Sequence, residues 1–358
     1  MSKKRRDFIK LIEENHLVFS LGLQLTERCN LKCDYCFQDK PKGRTKELEA
    51  EKWIEIVNLF EKIFNPNIIQ YKLTGGEVFV FDGVNNLIGN ILNTGSNLTV
   101  ISNGVSIPDD YYFLSKAHPK NSFTEISIDG PEEIHNKYRG KFSDTMENIK
   151  RFLDEGLNLA LRISAHRGNY DHIGKFLENM EGVCKFKNRD IVVHFQPIFL
   201  TEKNNSCNLE LGIEEYYLLS EKTKKSSYSH ISQNWRIVDG KAMKRDYKPE
   251  SKLKSIYFGC DNGATLMIRP NGDFSGCELE EPKDNILRYL DSKEQEKLLS
   301  KIDEINTPAD ECISCEFIDT CNACRLTPSV HNYTSTFGYD SCKSYAEKLK
   351  ILRERRYI

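Results

Sequence analysis

From Leu17 to about Pro197 the sequence alternates short runs of Val, Ile, Leu and aromatic residues with longer segments of helical periodicity. This alternation limits the fold more than any other feature, because strands separated by amphipathic helices form βα units on a parallel sheet. Six runs read as buried parallel strands: Phe19–Thr26, Ile68–Thr74, Leu98–Ser102, Thr124–Ile128, Leu157–Ser164 and Ile191–Phe195. Between them, Leu48–Phe64 places Trp53, Ile56, Val57, Phe60, Ile63 and Phe64 at helical spacing, and Met146, Ile149, Phe152 and Leu153 repeat the pattern. Both stripes read as core. Six units rather than eight predict an α/β architecture in the form of an open, partial (β/α)6 barrel, with a mouth suited to a bulky substrate. Chemistry in such sheets gathers at the carboxyl ends of the strands. Three runs end there in small or polar residues: Thr74-Gly-Gly-Glu, Ser102-Asn-Gly and Ser127-Ile-Asp-Gly.

The chain has 358 residues, of which 39% are hydrophobic. Single cores stop growing at roughly 250–300 residues, so a large and a small unit are expected. The sequence divides into an arm at 1–16, the barrel at 17–232, a linker at 233–256 and a small Cys-, Gly- and Asn-rich unit at 257–358. A helix is expected over Ile213–Lys224. The 51 basic and 53 acidic residues leave a net charge of −2, which gives no global field for nucleic acid or an anionic membrane. The cluster Lys3 to Arg6 reads as a solvated terminus. No stretch approaches the ~18 apolar residues of a membrane span, and no secretory signal opens the chain. A cytoplasmic protein is expected. Twelve cysteines in a reducing compartment then point to metal or redox chemistry rather than disulfides.

Cys29-Asn-Leu-Lys-Cys33-Asp-Tyr-Cys36 follows the first strand as a C-x3-C-x2-C loop. A structural zinc site closes with four ligands, whereas a [4Fe–4S] cluster held by three thiolates keeps one iron open for a small molecule. A zinc site with a distant fourth ligand, or coincidence in a Cys-rich chain, would give the same spacing.

That spacing, on the loop after the first strand and with an aromatic before the third Cys, resembles the signature of the radical S-adenosylmethionine (SAM) family. The resemblance implies that Cys29, Cys33 and Cys36 hold a SAM-cleaving cluster. It also implies that Gly75, Gly76 and Glu77 lie against the methionine ammonium of SAM. Asn103, Ser127, Asp129 and Arg139 fall where relatives place contacts to the SAM ribose and carboxylate, and Tyr35 where the adenine is touched. Turn chemistry alone would equally explain Asn103-Gly104 and Asp129-Gly130-Pro131. The implied reaction is reductive cleavage of SAM to methionine and a 5′-deoxyadenosyl radical, which abstracts hydrogen from a substrate carbon.

The C-terminal third holds Cys260, Cys277, Cys312, Cys315, Cys321, Cys324 and Cys342, with Gly272 five positions before Cys277. This arrangement resembles the SPASM extension of radical SAM enzymes, a small α+β domain with two auxiliary [4Fe–4S] clusters. Three clusters in all are implied. Two residues, Asn322 and Ala323, stand between the last pair of the run where the family usually has three. By resemblance Cys312, Cys315, Cys321 and Cys342 close the outer cluster, leaving Cys260, Cys277 and Cys324 for the inner one. The inner cluster is then one thiolate short, to be filled by Cys207, Cys184, a substrate group or water, or left open. Free thiols at Cys184 and Cys207, and a zinc ribbon at Cys312–Cys324, are the plainer readings.

Most SPASM-bearing relatives modify ribosomally made peptides or proteins, so the resemblance implies a peptidyl substrate that is oxidised or cross-linked. In sulfatase-maturing relatives an Asp after the second SPASM cysteine acts as a base, and here Glu278 follows Cys277. Glu278 is thus a candidate catalytic carboxylate, and an anaerobic sulfatase-maturating enzyme the alternative within the family. The implied partner is a one-electron donor such as flavodoxin or ferredoxin; because few residues precede the first strand, either a separate leader-binding protein presents the substrate or the barrel mouth and the polar 201–256 segment recognise it directly. The rival from another class is a zinc-stapled interaction protein.

Overall fold

The computed structural model describes residues 18–38, 46–198, 208–211, 265–278, 280–291 and 293–307, the backbone of 231–233, 235–238 and 241–244, and single positions at 9, 10, 12, 215 and 219. The helix expected over Ile213–Lys224 therefore lies almost wholly outside the described residues. Two compact units divide the chain: Met1–Arg28, Pro41–Val100 and Tyr247–Leu326 form one, and Cys29–Lys40, Ile101–Asp246 and Thr327–Ile358 the other.

The first unit is built on strand β1 (Phe19–Gln24), which is buried at every position. It pairs in parallel with β2 (Ile69–Thr74) through Phe19↔Ile69 to Gln24↔Thr74, and β2 pairs in parallel with β3 (Asn97–Ser102). The crossovers are helices α1 (Ala50–Ile63) and α2 (Val84–Asn93). Trp53, Ile56, Val57, Phe60 and Ile63 form the buried stripe of α1, as their spacing demands, and Phe64 just beyond its end stacks on Phe19 at 4.5 Å.

The other edge of β1 carries a strand from far along the sequence. β10 (Thr265–Ile268) lies parallel to it in register Ser20↔Thr265, followed by antiparallel β11 (Asp273–Ser275) and β12 (Asp284–Asn285). Gly22 leaves room for the Met267 side chain, whose terminal methyl would stand 2.5 Å from a Cβ there. The amide side chain of Asn306, at the end of helix α7 (Gln295–Asn306), exchanges bonds with the Thr265 N–H (2.8 Å) and C=O (3.1 Å).

In the second unit β4 (Ser122–Ser127), β5 (Leu159–Ala165), β6 (Ile191–Pro197) and the short β7 (Ile231–Gln233) run parallel. Strands β8 (Trp235–Val238) and β9 (Lys241–Lys244) form an antiparallel pair. The helices are α3 (Asp109–Ala117), α4 (Glu132–Tyr138), α5 (Phe142–Glu155) and α6 (Ile173–Lys187). Tyr111 of α3 bonds Thr124 of β4 at 2.6 Å, so Thr124 faces the helices and, by strand alternation, Phe123, Glu125 and Ser127 face the opposite side.

The α/β class and the parallel βα alternation are thus as expected, with strand ends shifted by one or two residues. β5 starts at Leu159 rather than Leu157 because α5 closes with Gly156 in the left-handed region (φ 70°) and with Leu157 N–H bonded to Phe152 C=O at 2.9 Å. Leu157 is taken up by the helix terminus before the strand begins.

Candidate active site

The Cys29–Cys36 loop belongs to the second unit and is fixed there by backbone bonds. Asp34 N–H donates to Tyr138 C=O at 3.0 Å, and Cys36 N–H to Cys33 C=O at 3.3 Å. Leu31 N–H points at Cys29 Sγ at 3.4 Å, and Asn103 Nδ2 stands 3.9 Å from the same sulfur while donating to Asn30 Oδ1 at 2.7 Å. Asn103 Oδ1 accepts from Val105 N–H at 2.9 Å, which orients the amide. Cys29 is exposed and Cys33 and Cys36 are half-buried. Burial pushes the Cys33 thiol up to about 11 against the pull of Arg139, with the charges of Cys36 and Cys29 adding to the rise. A cation that binds thiolate would remove that cost.

Cys29, Cys33 and Cys36 share one loop and act on one another electrostatically, and three thiols with no fourth Cys in the loop are the donor set that a [4Fe–4S] cluster with one open iron takes. Thiolates of a cubane bind different irons, so their sulfurs stand farther apart than around one ion. N–H groups directed at Cys29 Sγ also suit a thiolate ligand.

Tyr35, within the same loop, joins it to a buried ion pair. Its hydroxyl donates to the Asp129 carboxylate, and Arg139 bonds both partners, from Nη2 to the Tyr35 oxygen at 2.7 Å and from Nε to Asp129 Oδ2 at 3.2 Å. Arg139 also reaches Ser164 Oγ at 3.3 Å. Burial alone would raise Asp129, but Arg139 and the Tyr35 hydroxyl hold its carboxyl below the usual range; burial drives Tyr35 well above its own. Tyr35, Asp129 and Arg139 are therefore brought together, but bonded to one another. Ser127 closes β4 two positions before Asp129 and is nearly buried.

Residues not foreseen from the sequence complete this region. Asn169 Nδ2 bridges the carbonyls of Asp129 (2.9 Å) and Ser164 (2.8 Å), and the His166 ring lies tilted against Tyr35 with centroids 5.1 Å apart. The available signal was the run Ser164-Ala-His-Arg-Gly-Asn, polar residues at a strand's carboxyl end.

In the first unit, Gly75, Gly76 and Glu77 follow β2 and lie against the segment after β1. Gly76 N–H donates to Thr26 C=O and Glu77 N–H to Arg28 C=O, each at 2.8 Å. A Cβ on Gly75 would stand 2.6 Å from the Thr26 oxygen, and one on Gly76 would overlap the Arg28 carbonyl. The close approach these glycines permit is to the chain's own backbone. Glu77 is 2% exposed, and its carboxylate caps the following turn by accepting from Phe79 N–H at 3.2 Å.

Cys277 is half-buried in a turn after β11. Ser275 Oγ donates to Cys277 C=O at 2.7 Å, Glu280 N–H donates to that carbonyl at 3.1 Å, and the Arg269 guanidinium donates to the carbonyls of Glu278 (3.4 Å) and Glu280. Glu278 is thus held by its backbone. Cys184 sits in the buried stripe of α6. Cys207, Cys260, Cys312, Cys315, Cys321, Cys324 and Cys342 lie outside the described residues.

Residues 23–180 match the family model of the radical SAM superfamily. The chain carries a radical SAM domain. The sporulation killing factor maturation protein SkfB of Bacillus subtilis is 29% identical over 176 residues, 48% of this chain and 42% of SkfB. A GTP 3′,8-cyclase of Petrotoga mobilis is 34% identical over 145 residues, 38% of this chain and 44% of the cyclase. The chain thus spans less than half the length of these relatives. Among solved structures, Streptococcus suis SuiB bound to S-adenosylmethionine superposes with a TM-score of 0.65 at 16% identity, covering 88% of this chain and 76% of SuiB. Its complex with the precursor peptide SuiA gives 0.65 at 14% identity, with 94% and 79% covered. At such identity the likeness establishes the fold alone. No helix among the described residues is long and apolar enough to cross a membrane.

Proposed function

We propose that this chain is a radical SAM enzyme that oxidises or cross-links a peptide or protein substrate. The observation that carries the reading is the Cys29–Cys36 loop, with Asn103 directed at Cys29 and Tyr35 tied to Asp129 and Arg139. Cys29, Cys33 and Cys36 would hold a [4Fe–4S] cluster, and Gly75–Glu77, Asn103, Ser127 and the Tyr35–Asp129–Arg139 group would border bound SAM. Together these supply a 5′-deoxyadenosyl radical, which takes a hydrogen atom from a substrate carbon.

The chain's own part is to hold and shield. Arg139, fixed by Asp129, keeps the ring of Tyr35 and with it the loop in one position, and the absence of solvent around Asp129 keeps water from that side. Residues 257–358 would form a SPASM domain with two auxiliary clusters on Cys260, Cys277, Cys312, Cys315, Cys321, Cys324 and Cys342, and Glu278 would serve as a base near the inner one. SkfB, named for maturation of the sporulation killing factor, and SuiB, solved with its precursor peptide, support a peptidyl substrate. A low-potential flavodoxin or ferredoxin would supply the electron, and a separate leader-binding protein could present the peptide in a cytoplasmic setting.

The test is iron and sulfide content of anaerobically reconstituted protein beside the Cys29/Cys33/Cys36→Ala triple variant, followed by dithionite-driven release of 5′-deoxyadenosine. About twelve irons in the parent and about eight in the variant, with deoxyadenosine from the parent alone, are expected. Zinc in place of iron, with no deoxyadenosine, would overturn the reading in favour of an interaction protein.

A further inference from the structure

The face of β4–β6 turned away from α3 is layered. At its base Phe123, Ala160 and Val192 form an apolar cluster. At the carboxyl ends of the strands, Ser164 joins the Arg139–Asp129 pair. Between these lies a polar layer with no role in the arrangement described above. Arg162 Nη1 donates to Glu125 Oε2 at 3.0 Å, Arg162 Nη2 donates to Gln196 Oε1 at 3.2 Å, and His194 Nδ1 stands 3.2 Å from Glu125 Oε1.

Two properties set this layer apart from a structural ion pair. First, it is open: the side chains of Arg162 and His194 are 30% and 27% exposed, whereas that of Glu125 is 10% exposed. Glu125 is the buried anchor and the other two keep part of their surface open to solvent. Second, its charges cancel. Glu125 neutralises Arg162, as Asp129 neutralises Arg139 in the next layer. A carboxylate only accepts hydrogen bonds, so a proton on His194 belongs on the nitrogen beside it; in the neutral tautomer that follows, Nε2 is the acceptor. Arg162 keeps N–H donors beyond the two it has committed. With the imidazole neutral, the layer offers donor and acceptor side by side without net charge.

We propose that Arg162 and His194, anchored by Glu125 and Gln196, form a substrate-recognition subsite for an uncharged amide of a peptide. The amide carbonyl accepts from Arg162 and its N–H donates to His194 Nε2. The proposal rests on the peptide reading above and sharpens it, because a nucleoside triphosphate needs unpaired cations, and this face supplies none among its described residues.

The probe is a random-sequence pool of N-acetylated, C-amidated hexapeptides, observed by saturation-transfer difference NMR on the reconstituted full chain, with GTP and tripolyphosphate as competitors. Arg162→Lys keeps the charge opposite Glu125 but loses the planar fork, and His194→Phe keeps the ring but loses Nε2. Each is expected to weaken peptide binding about tenfold, the scale of one hydrogen bond to a charged group, while circular dichroism stays that of the parent. Neither GTP nor tripolyphosphate is expected to compete. Absence of peptide binding by the parent, unchanged binding in both folded variants, or displacement by GTP would each overturn the proposal. Loss of iron or of deoxyadenosine release would instead sink the radical SAM reading, with the peptide measurement still interpretable.

Discussion

Arg139 Nε stands 3.2 Å from Asp129 Oδ2, with the Asp129 side chain wholly removed from solvent and that of Arg139 only 10% exposed. Removing one partner of such a pair strands a buried charge. Arg139→Leu should therefore cost about 3–5 kcal/mol of stability. Asp129→Asn keeps an acceptor for Arg139 and Tyr35 but strands the guanidinium charge, so it should be destabilising as well. Urea unfolding of both variants checks this, and a midpoint unchanged from the parent in either would contradict the described network.

Gly76→Ala tests the strand-end packing. The added methyl meets the carbonyl of Arg28, the residue immediately before Cys29 in sequence, so backbone must move. A loss of about 1–3 kcal/mol is expected, with a lower yield of reconstituted iron. Stability and iron content unchanged from the parent would remove the steric argument for the glycine.

Acid sensitivity should follow from two buried imidazoles. Burial drives His135 and His166 each down to about 4, from 6.5 for an unhindered histidine. Both are neutral in the native protein, and the unfolded chain takes up these protons first as pH falls. Their contribution is whole above pH 6.5 and is lost as pH falls through 4, with a slope of about 1.4 kcal/mol per pH unit for each. Chemical denaturation across that window, repeated on His166→Phe, should show a shallower slope in the variant.

Cysteine reactivity should separate the loop from the core. Burial pushes the Cys184 thiol up to about 12, while Cys29 is exposed. In cluster-free native protein, iodoacetamide should label Cys29 and leave Cys184 untouched until the chain is unfolded. Peptide mass spectrometry reads this directly, and prompt native labelling of Cys184 would place it outside the helix core.

Where sequence sufficed, local signals agreed with their surroundings. Trp53, Ile56, Val57, Phe60 and Ile63 repeat every turn and bury one face of α1, and the thiol loop stands after β1 as its spacing implied. The rest depends on residues distant in the chain. Nothing near Tyr35 signals that its hydroxyl meets Asp129, which packing of the loop brings about, and nothing near Arg162 signals Glu125 or His194, which strand pairing brings together. Asp129 was legible as a polar residue at a strand end and Arg139, at the end of α4, through the family resemblance, but their mutual engagement was not. The glycines before Glu77 were legible as sites of close approach, yet the backbone they admit is that of Thr26 and Arg28.

The placement of β10 has a consequence for how the protein is made. β1 is fully buried and its second edge is completed only by Thr265–Ile268, so a ribosome must synthesise the whole intervening chain before the strand that leads into the thiol loop has both neighbours. Until then its unpaired N–H and C=O groups are an open template for other chains. During synthesis this edge stays open to pairing with other chains until the late strand arrives.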